Sequence, residues 1–327
     1  MIDLITMIKT NVPENEVSQI VERAKLQECT RNGKLYYETS LQQRNKEHMF
    51  IRIGTNNRLK VECSLHKLFE QTATGHYTNY GVFTLEQAKQ TAIDSLAEKG
   101  IAPGDIRIYN YEIGVNLYMS EDCREYMDRM KTIGILEDKK PLYINPRYKD
   151  QRVRTTVFHK YIRKHFKVYD KGFEARDKRR NDVPDQNILR LETVYRRVEN
   201  MTLDEFFSPE NIAKIRDRFF RDWRTVQFTR EIQAPKGTGE KKKHLCETIL
   251  KVGTETALSQ AREKHRAGTL TEREFRTIRE FIINEWDKVK NDVRFVASEP
   301  EKEYRERLNQ AKTLLTYDGT ATPHKRD

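Results

Sequence analysis

From residue 58 to residue 65 the chain alternates without a break: Leu59, Val61, Cys63 and Leu65 are apolar, and Lys60, Glu62 and Ser64 are polar. A period of two fits a strand with one buried and one solvated face, and it fits no helix. The first part of the chain is thereby committed to a half-covered sheet. Residues 35–41 and 49–53 are rich in β-formers and predict neighbouring strands. A helix follows over 85–99, opened by the Thr84-x-x-Gln87 capping box, striped by Leu85, Ala88, Ala92, Ile93 and Leu96, and closed by Gly100. Residues 106–117 predict a further strand with Ile108, Asn110, Glu112 and Gly114 on one face and Tyr109, Tyr111, Ile113 and Val115 on the other. A helix is expected over 121–133, stopping at Gly134, then strands near 153–158, 166–171 and 188–194.

Helices dominate beyond that point. Thr202-x-x-Glu205 and Thr271-x-x-Glu274 are capping boxes, and Ser208-Pro209 starts a helix striped by Ile212, Ile215, Phe219 and Trp223. The later box leads into Phe275, Ile278, Ile282, Trp286 and Val289. Strands followed by helices predict an α+β fold: a central, mostly antiparallel sheet with flanking helices, then a helical C-terminal region. The Gly- and Lys-rich composition of 234–244 reads as a linker between a domain at 1–233 and that region at 245–327, with a frayed tail after Pro323.

Charge is distributed unevenly. Residues 139–180 hold 15 Lys and Arg against 4 Asp and Glu, so this segment carries the whole formal net charge of +11. Such a segment calls for an anionic partner, and no strongly amphipathic basic helix accompanies it, which favours nucleic acid over lipid. Apolar runs are only a few residues long, and the opening segment has no basic flank, so neither a membrane span nor an export signal is expected. Cys29, Cys63, Cys123 and Cys246 form no close pair, which suits a reducing, cytoplasmic setting and argues against a disulfide framework or zinc knuckle.

Within the basic segment, alternation puts Lys167, Tyr169 and Lys171 on one strand face. Two ammonium groups beside a phenol lower the cost of a phenolate and hold a phosphate, which is what a tyrosine nucleophile acting on nucleic acid needs. The same residues also suit a tyrosine packed at a sheet edge beside solvated lysines. Lys160, Arg163, Lys164, Lys167, Arg179 and Arg180 are the cations expected to grip the backbone. Glu62, Glu112 and Glu192 stand on strands, where glutamate is uncommon; converging on one face, they would form an oxygen site for Mg2+ or Mn2+, and otherwise they are solvated partners of Lys60 or Arg190. His66 and His76 are weaker ligand candidates, since no His-x-His pair exists. The segment 75–81 is a Gly- and Asn-rich loop whose aromatics can stack on unpaired bases, and no Walker-type loop is present.

In this order the motifs resemble the filamentous-phage gene II and gene X replication initiators and their plasmid relatives. The blocks are Met1 to Asp3; Val61-Glu-Cys-Ser-Leu-His-Lys67 with Gly75-His76 and Gly81-Val-Phe83; Ile108-Tyr-Asn-Tyr-Glu-Ile-Gly-Val-Asn116; and Lys167-Val-Tyr-Asp-Lys171 with Leu189-Arg-Leu-Glu192. Together they span about two-thirds of the chain. The resemblance implies a metal-dependent DNA strand transferase that nicks and joins a replication origin for rolling-circle replication. Its nucleophile maps onto Tyr169 and its lysine onto Lys171. The family's Arg-x-Asp pattern reads Asn110-Tyr-Glu112 here, so Glu112 corresponds only by chemistry, whereas Arg190-Leu-Glu192 keeps its pattern. The partners it implies are origin DNA, a host helicase and a host polymerase, in the cytoplasm of a bacterial host. Two readings of other classes stand beside it: a DNA-binding protein without catalysis, and a metal-dependent hydrolytic nuclease.

Overall fold

Strand β1 (Ile2–Lys9) is apolar on both faces because it is enclosed on both sides, and in the computed structural model it runs through the middle of a ten-stranded sheet. The structure describes residues 2–145, 153–156, 163–179, 181–198 and 201–315. On one flank of β1 the order is β5 (Arg58–Ser64), β4 (Met49–Gly54), β3 (Lys34–Glu38) and β2 (Gln27–Arg31). On the other it is β6 (Arg107–Met119), β12 (Asn187–Arg196), β11 (Lys164–Asp170), β10 (Val153–Thr155) and β9 (Tyr143–Ile144). Each neighbouring pair is antiparallel, so the α+β class and the central antiparallel sheet expected from the alternation are present.

Register decides what each face carries. Asn116 lies opposite Arg190 and Gly114 opposite Glu192, while across the next seam Arg190 faces Tyr169 and Glu192 faces Lys167. These residues share one face. The alternate set, including Ile113, Leu191, Thr193, Phe166 and Val168, forms the apolar face and packs on α7 (Leu203–Phe206) and α8 (Pro209–Arg224). Tyr111 meets Phe206 edge-on at 5.0 Å, Phe166 meets Trp223 at 5.6 Å, and Trp223 Nε1 donates to Thr193 Oγ1 at 3.1 Å. The α8 stripe of Ile212, Ile215, Phe219 and Trp223 is buried as its spacing predicts, with Ser208 capping and Pro209 in the first turn.

Other helices flanking the sheet are α1 (Glu14–Arg23), α2 (Leu41–Glu47), α3 (Leu65–Thr74), α4 (Leu85–Glu98), α5 (Cys123–Met127) and α6 (Lys171–Asp177). The expected helix over 121–133 is not one helix. Asp122 caps the short α5, and Met130–Ile133 is strand β7, paired with β8 (Lys140–Pro141). Gly134 is a turn residue with φ +99, where a Cβ would stand 2.4 Å from the Asp138 carbonyl oxygen; it closes no helix. Residues 35–41 likewise divide, the strand ending at Glu38 and α2 starting at Leu41 under a Ser40 cap.

The chain folds as two units, one of residues 1–227 with 303–327 and one of residues 228–302. The second boundary differs from the sequence expectation: residues 234–244 are no free linker, since Glu231–Gln233 pairs with Arg294–Val296 and a helix begins at Glu240. Cys246, Ile249, Ala257, Phe281, Trp286 and Val293 are the core of the second unit. The chain re-enters the first unit at Glu303, inside the helix Glu299–Leu314, where Tyr304 and Leu308 are buried. Among the described residues no helix is long and apolar enough to cross a membrane.

Candidate active site

Three side chains of one sheet face converge on a single carboxylate. The Tyr169 hydroxyl donates to Glu192 Oε1 at 2.7 Å, Arg190 Nε to the same oxygen at 3.2 Å, and Lys167 Nζ to Glu192 Oε2 at 3.2 Å. Lys167 also bridges to Glu112 at 3.1 and 3.2 Å. Arg190 extends the network to Asp3 Oδ2 at 2.9 Å and Asn116 Oδ1 at 3.0 Å. Asp3 in turn accepts from Ser64 Oγ at 2.7 Å and Asn79 Nδ2 at 2.8 Å. Asp3, Asn79, Glu112, Lys167, Tyr169 and Glu192 line one cleft of about 280 Å³.

Backbone geometry explains the placement. Strict alternation along β1 would send Asp3 to the apolar face with Ile5 and Met7. The β1–β6 register slips between Ile2 and Ile5, and this irregularity turns the Asp3 carboxylate to the polar face. The loop before α4 is held over the same face, with Asn116 Nδ2 donating to the Asn79 and Tyr80 carbonyls at 2.9 Å. Asp170 caps α6 by accepting from the Phe173 amide at 3.1 Å, so Lys171 is the first helical residue and not the end of a strand.

The electrostatics differ from the expected picture of a phenol activated by free ammonium groups. Burial, with Glu192 and Glu174 nearby, pushes the Tyr169 phenol well above its ordinary 10, so the site holds it protonated. Both flanking lysines are engaged in ion pairs, Lys167 with Glu112 and Glu192 and Lys171 with Glu174. Lys171 is fully buried and paired with Glu174 at 2.7 Å; burial lowers its ammonium below the usual value. Burial would raise Glu192, but Lys167 and Arg190 outweigh it and hold the carboxyl below its usual range. Glu112 moves the other way, raised by burial and by the crowding of Glu192 and Asp3 against the pull of Lys167.

The other expected site residues scatter. Glu62 pairs with Arg44 at 3.1 Å and Lys60 at 3.0 Å and does not line the cleft. Its strand is separated from that of Glu112 by β1, a lateral offset of about 10 Å. His66 is buried, stacks on Phe83 at 4.6 Å and stands 3.4 Å from Glu70; burial lowers it to about 4. His76 is exposed beside Asp182, so the two histidines form no ligand pair. Among the proposed phosphate grips, Lys164 is taken by Asp222 at 2.6 Å, while Arg163 and Arg179 are exposed. Lys160 and Arg180 lie outside the described residues. Asp3, Asn79 and Asn116 were missed by sequence reasoning; the one local signal was a charged residue inside the apolar opening strand.

Among the described residues no three His, Cys, Asp or Glu side chains are grouped to hold a metal ion as they stand, because Lys167 and Arg190 are interposed between the carboxylates. The donors nevertheless suit a hard divalent ion: the cleft offers carboxylate and amide oxygens, and the buried Asn79 Oδ1 meets no donor among the described residues. No family model matches this chain, and no curated protein does.

Proposed function

We propose that this protein is a DNA strand transferase that nicks and rejoins a replication origin through Tyr169, as its motif order resembles the phage and plasmid initiators. The observation that carries the reading is the 2.7 Å hydrogen bond from the Tyr169 hydroxyl to Glu192, a nucleophile and a base in contact within a cleft that also presents Lys167. In the resting site Glu192 is too weak a base for so reluctant a phenol. A phosphate oxygen entering beside Lys167 takes over that ammonium, and Glu192, relieved of one of its cations, gains proton affinity when the phenol must lose its proton. Tyr169 Oη passes its proton to Glu192 and bonds to phosphorus as the P–O3′ bond breaks; the leaving 3′-oxygen takes a proton from water and Glu192 returns its own to solvent, giving a 5′-phosphotyrosyl link and a free 3′-hydroxyl. The link keeps the energy of the broken ester, so a later 3′-hydroxyl can reverse the step without ATP. A bound Mg2+ or Mn2+ would polarise the phosphoryl oxygen and neutralise its charge. In this reading a host helicase separates the strands and a host polymerase extends the freed 3′ end in the bacterial cytoplasm.

The exposed Arg163 and Arg179 supply non-specific grip on the strand. Tyr195, a conceivable second nucleophile, stacks on Tyr111 at 4.7 Å on the opposite face of the sheet, which argues against that role; Tyr161 lies outside the described residues. The test incubates the protein with Mg2+ and both a supercoiled plasmid carrying a candidate origin and a pool of single-stranded oligonucleotides, then denatures it. A DNA-linked protein band that vanishes in Tyr169→Phe is expected. Nicked DNA without a protein adduct would replace this reading with hydrolysis, and binding without nicking would leave a DNA-binding protein.

A further inference from the structure

Asn79 is only 3% exposed, yet one half of its amide is unmatched. Its Nδ2 donates to Asp3 Oδ2 at 2.8 Å, which fixes the orientation of the group, since the reversed amide would set its carbonyl oxygen against a carboxylate. Oδ1 is therefore held as an acceptor that meets no donor among the described residues, an arrangement that is unfavourable unless a ligand compensates. A buried acceptor wants a donor or a cation. The same cleft is lined by Asp3, whose β1 irregularity turns it inward, and by Glu112, which pairs with Lys167 alone. Asp3 and Glu192 each accept from three side chains, Asp3 from Ser64, Asn79 and Arg190 and Glu192 from Tyr169, Arg190 and Lys167, and it is Asp3 that is bonded to the Asn79 amide.

We propose that Asp3, Asn79 Oδ1 and Glu112 form a site for one hard divalent cation, Mg2+ or Mn2+, and that Glu62 is not part of it. All three donors are oxygens, two of them anionic, the set that such an ion selects over softer metals. They belong to three separate parts of the chain: β1, the loop before α4, and β6. This division of labour leaves Glu192 free of the ion and available to Tyr169. The inference deepens the strand-transfer reading and rests on it only for the use made of the ion.

The experiment titrates the full-length protein with Mn2+ alone, without DNA, and reads free Mn2+ by electron paramagnetic resonance. One saturable Mn2+ is expected. Asn79→Ala and Asp3→Asn should each weaken it by roughly tenfold or more, and Glu62→Gln should leave it unchanged. Asp3→Asn also strips Arg190 of a partner, so Asn79→Ala, checked by thermal denaturation, is the deciding variant. No saturable binding to the wild type, full binding to Asn79→Ala, or loss of binding in Glu62→Gln would overturn the assignment. The two readings fail separately. Mn2+ binding as expected with no DNA adduct keeps the site and removes the transferase; a Tyr169-dependent adduct without saturable Mn2+ binding keeps the transferase and removes the site.

Discussion

Tyr169 is held as a protonated donor and not as a phenolate in waiting. Its hydroxyl has one acceptor, Glu192, and its ring lies 5.4 Å from the Lys171 ammonium. Tyr169→Phe removes one hydrogen bond to a charged group that keeps two cations, so stability should fall by only about 1–2 kcal/mol in chemical denaturation while adduct formation is lost entirely. His165, on the same strand, gives a second test. Burial first, then Lys167 and Arg196, lowers its imidazole to about 4 from an ordinary 6.5. The unfolded chain therefore takes up this proton before the folded one does. The contribution of His165 is complete above pH 6.5 and is lost as pH falls from there to about 4, at most about 3 kcal/mol. Melting temperatures across that window should fall less steeply for His165→Gln than for the wild type, and parallel curves would reject the account.

At the scale of elements, β6 and β12 make the cluster possible through one glycine. Opposite Glu192, Gly114 leaves room for the Arg190 guanidinium, whose nitrogens and carbon would stand 2.7–2.9 Å from a Cβ at that position. The guanidinium is pinned by Asp3, Asn116 and Glu192, so it has nowhere to retreat. Gly114→Ala should cost about 1–3 kcal/mol in stability and loosen the Tyr169–Glu192 contact, visible as a drop in adduct yield beyond what the stability loss explains. Much at this scale was legible beforehand. The alternation at 58–65 and the boxes at Thr84, Thr202 and Thr271 describe real elements, because the boxes close on contacts three residues apart and the alternation repeats within eight residues, although its strand pairs with the distant β1. The stretch 121–133 was misread because Met127, Met130 and Ile133 are all buried at a helical spacing, although the chain turns at Arg129 to pair with β8. The site was half legible. Tyr169, Glu192 and Glu112 line one cleft, but Asp3 lines it where Glu62 was expected, and only the strand order and the slip in β1 decide that. Neither is encoded within a short window.

The whole molecule has a first unit interrupted by a second. Residues 303–315 complete the first: Glu303 accepts from the Ser120 amide at 2.8 Å and hydroxyl at 2.6 Å and from the Tyr126 hydroxyl, and Tyr304 donates to the Trp223 carbonyl at 2.9 Å. Arg305 reaches the Val226 carbonyl at 2.6 Å, and Leu308 is buried. A chain ended after residue 302 should lose about 3–5 kcal/mol, measured by denaturant unfolding of the first unit, and more than a chain ended after residue 315. Unchanged unfolding would show that these contacts are dispensable. Trp223, which Tyr304 secures, sits behind the strands that carry Glu192 and Lys167. Biosynthesis then sets the order of events: some 300 residues must leave the ribosome before the support of the tyrosine's sheet is in place. A prematurely released chain would be born without it, so unfinished copies of this protein should lack the ordered sheet that sets Tyr169 against Glu192.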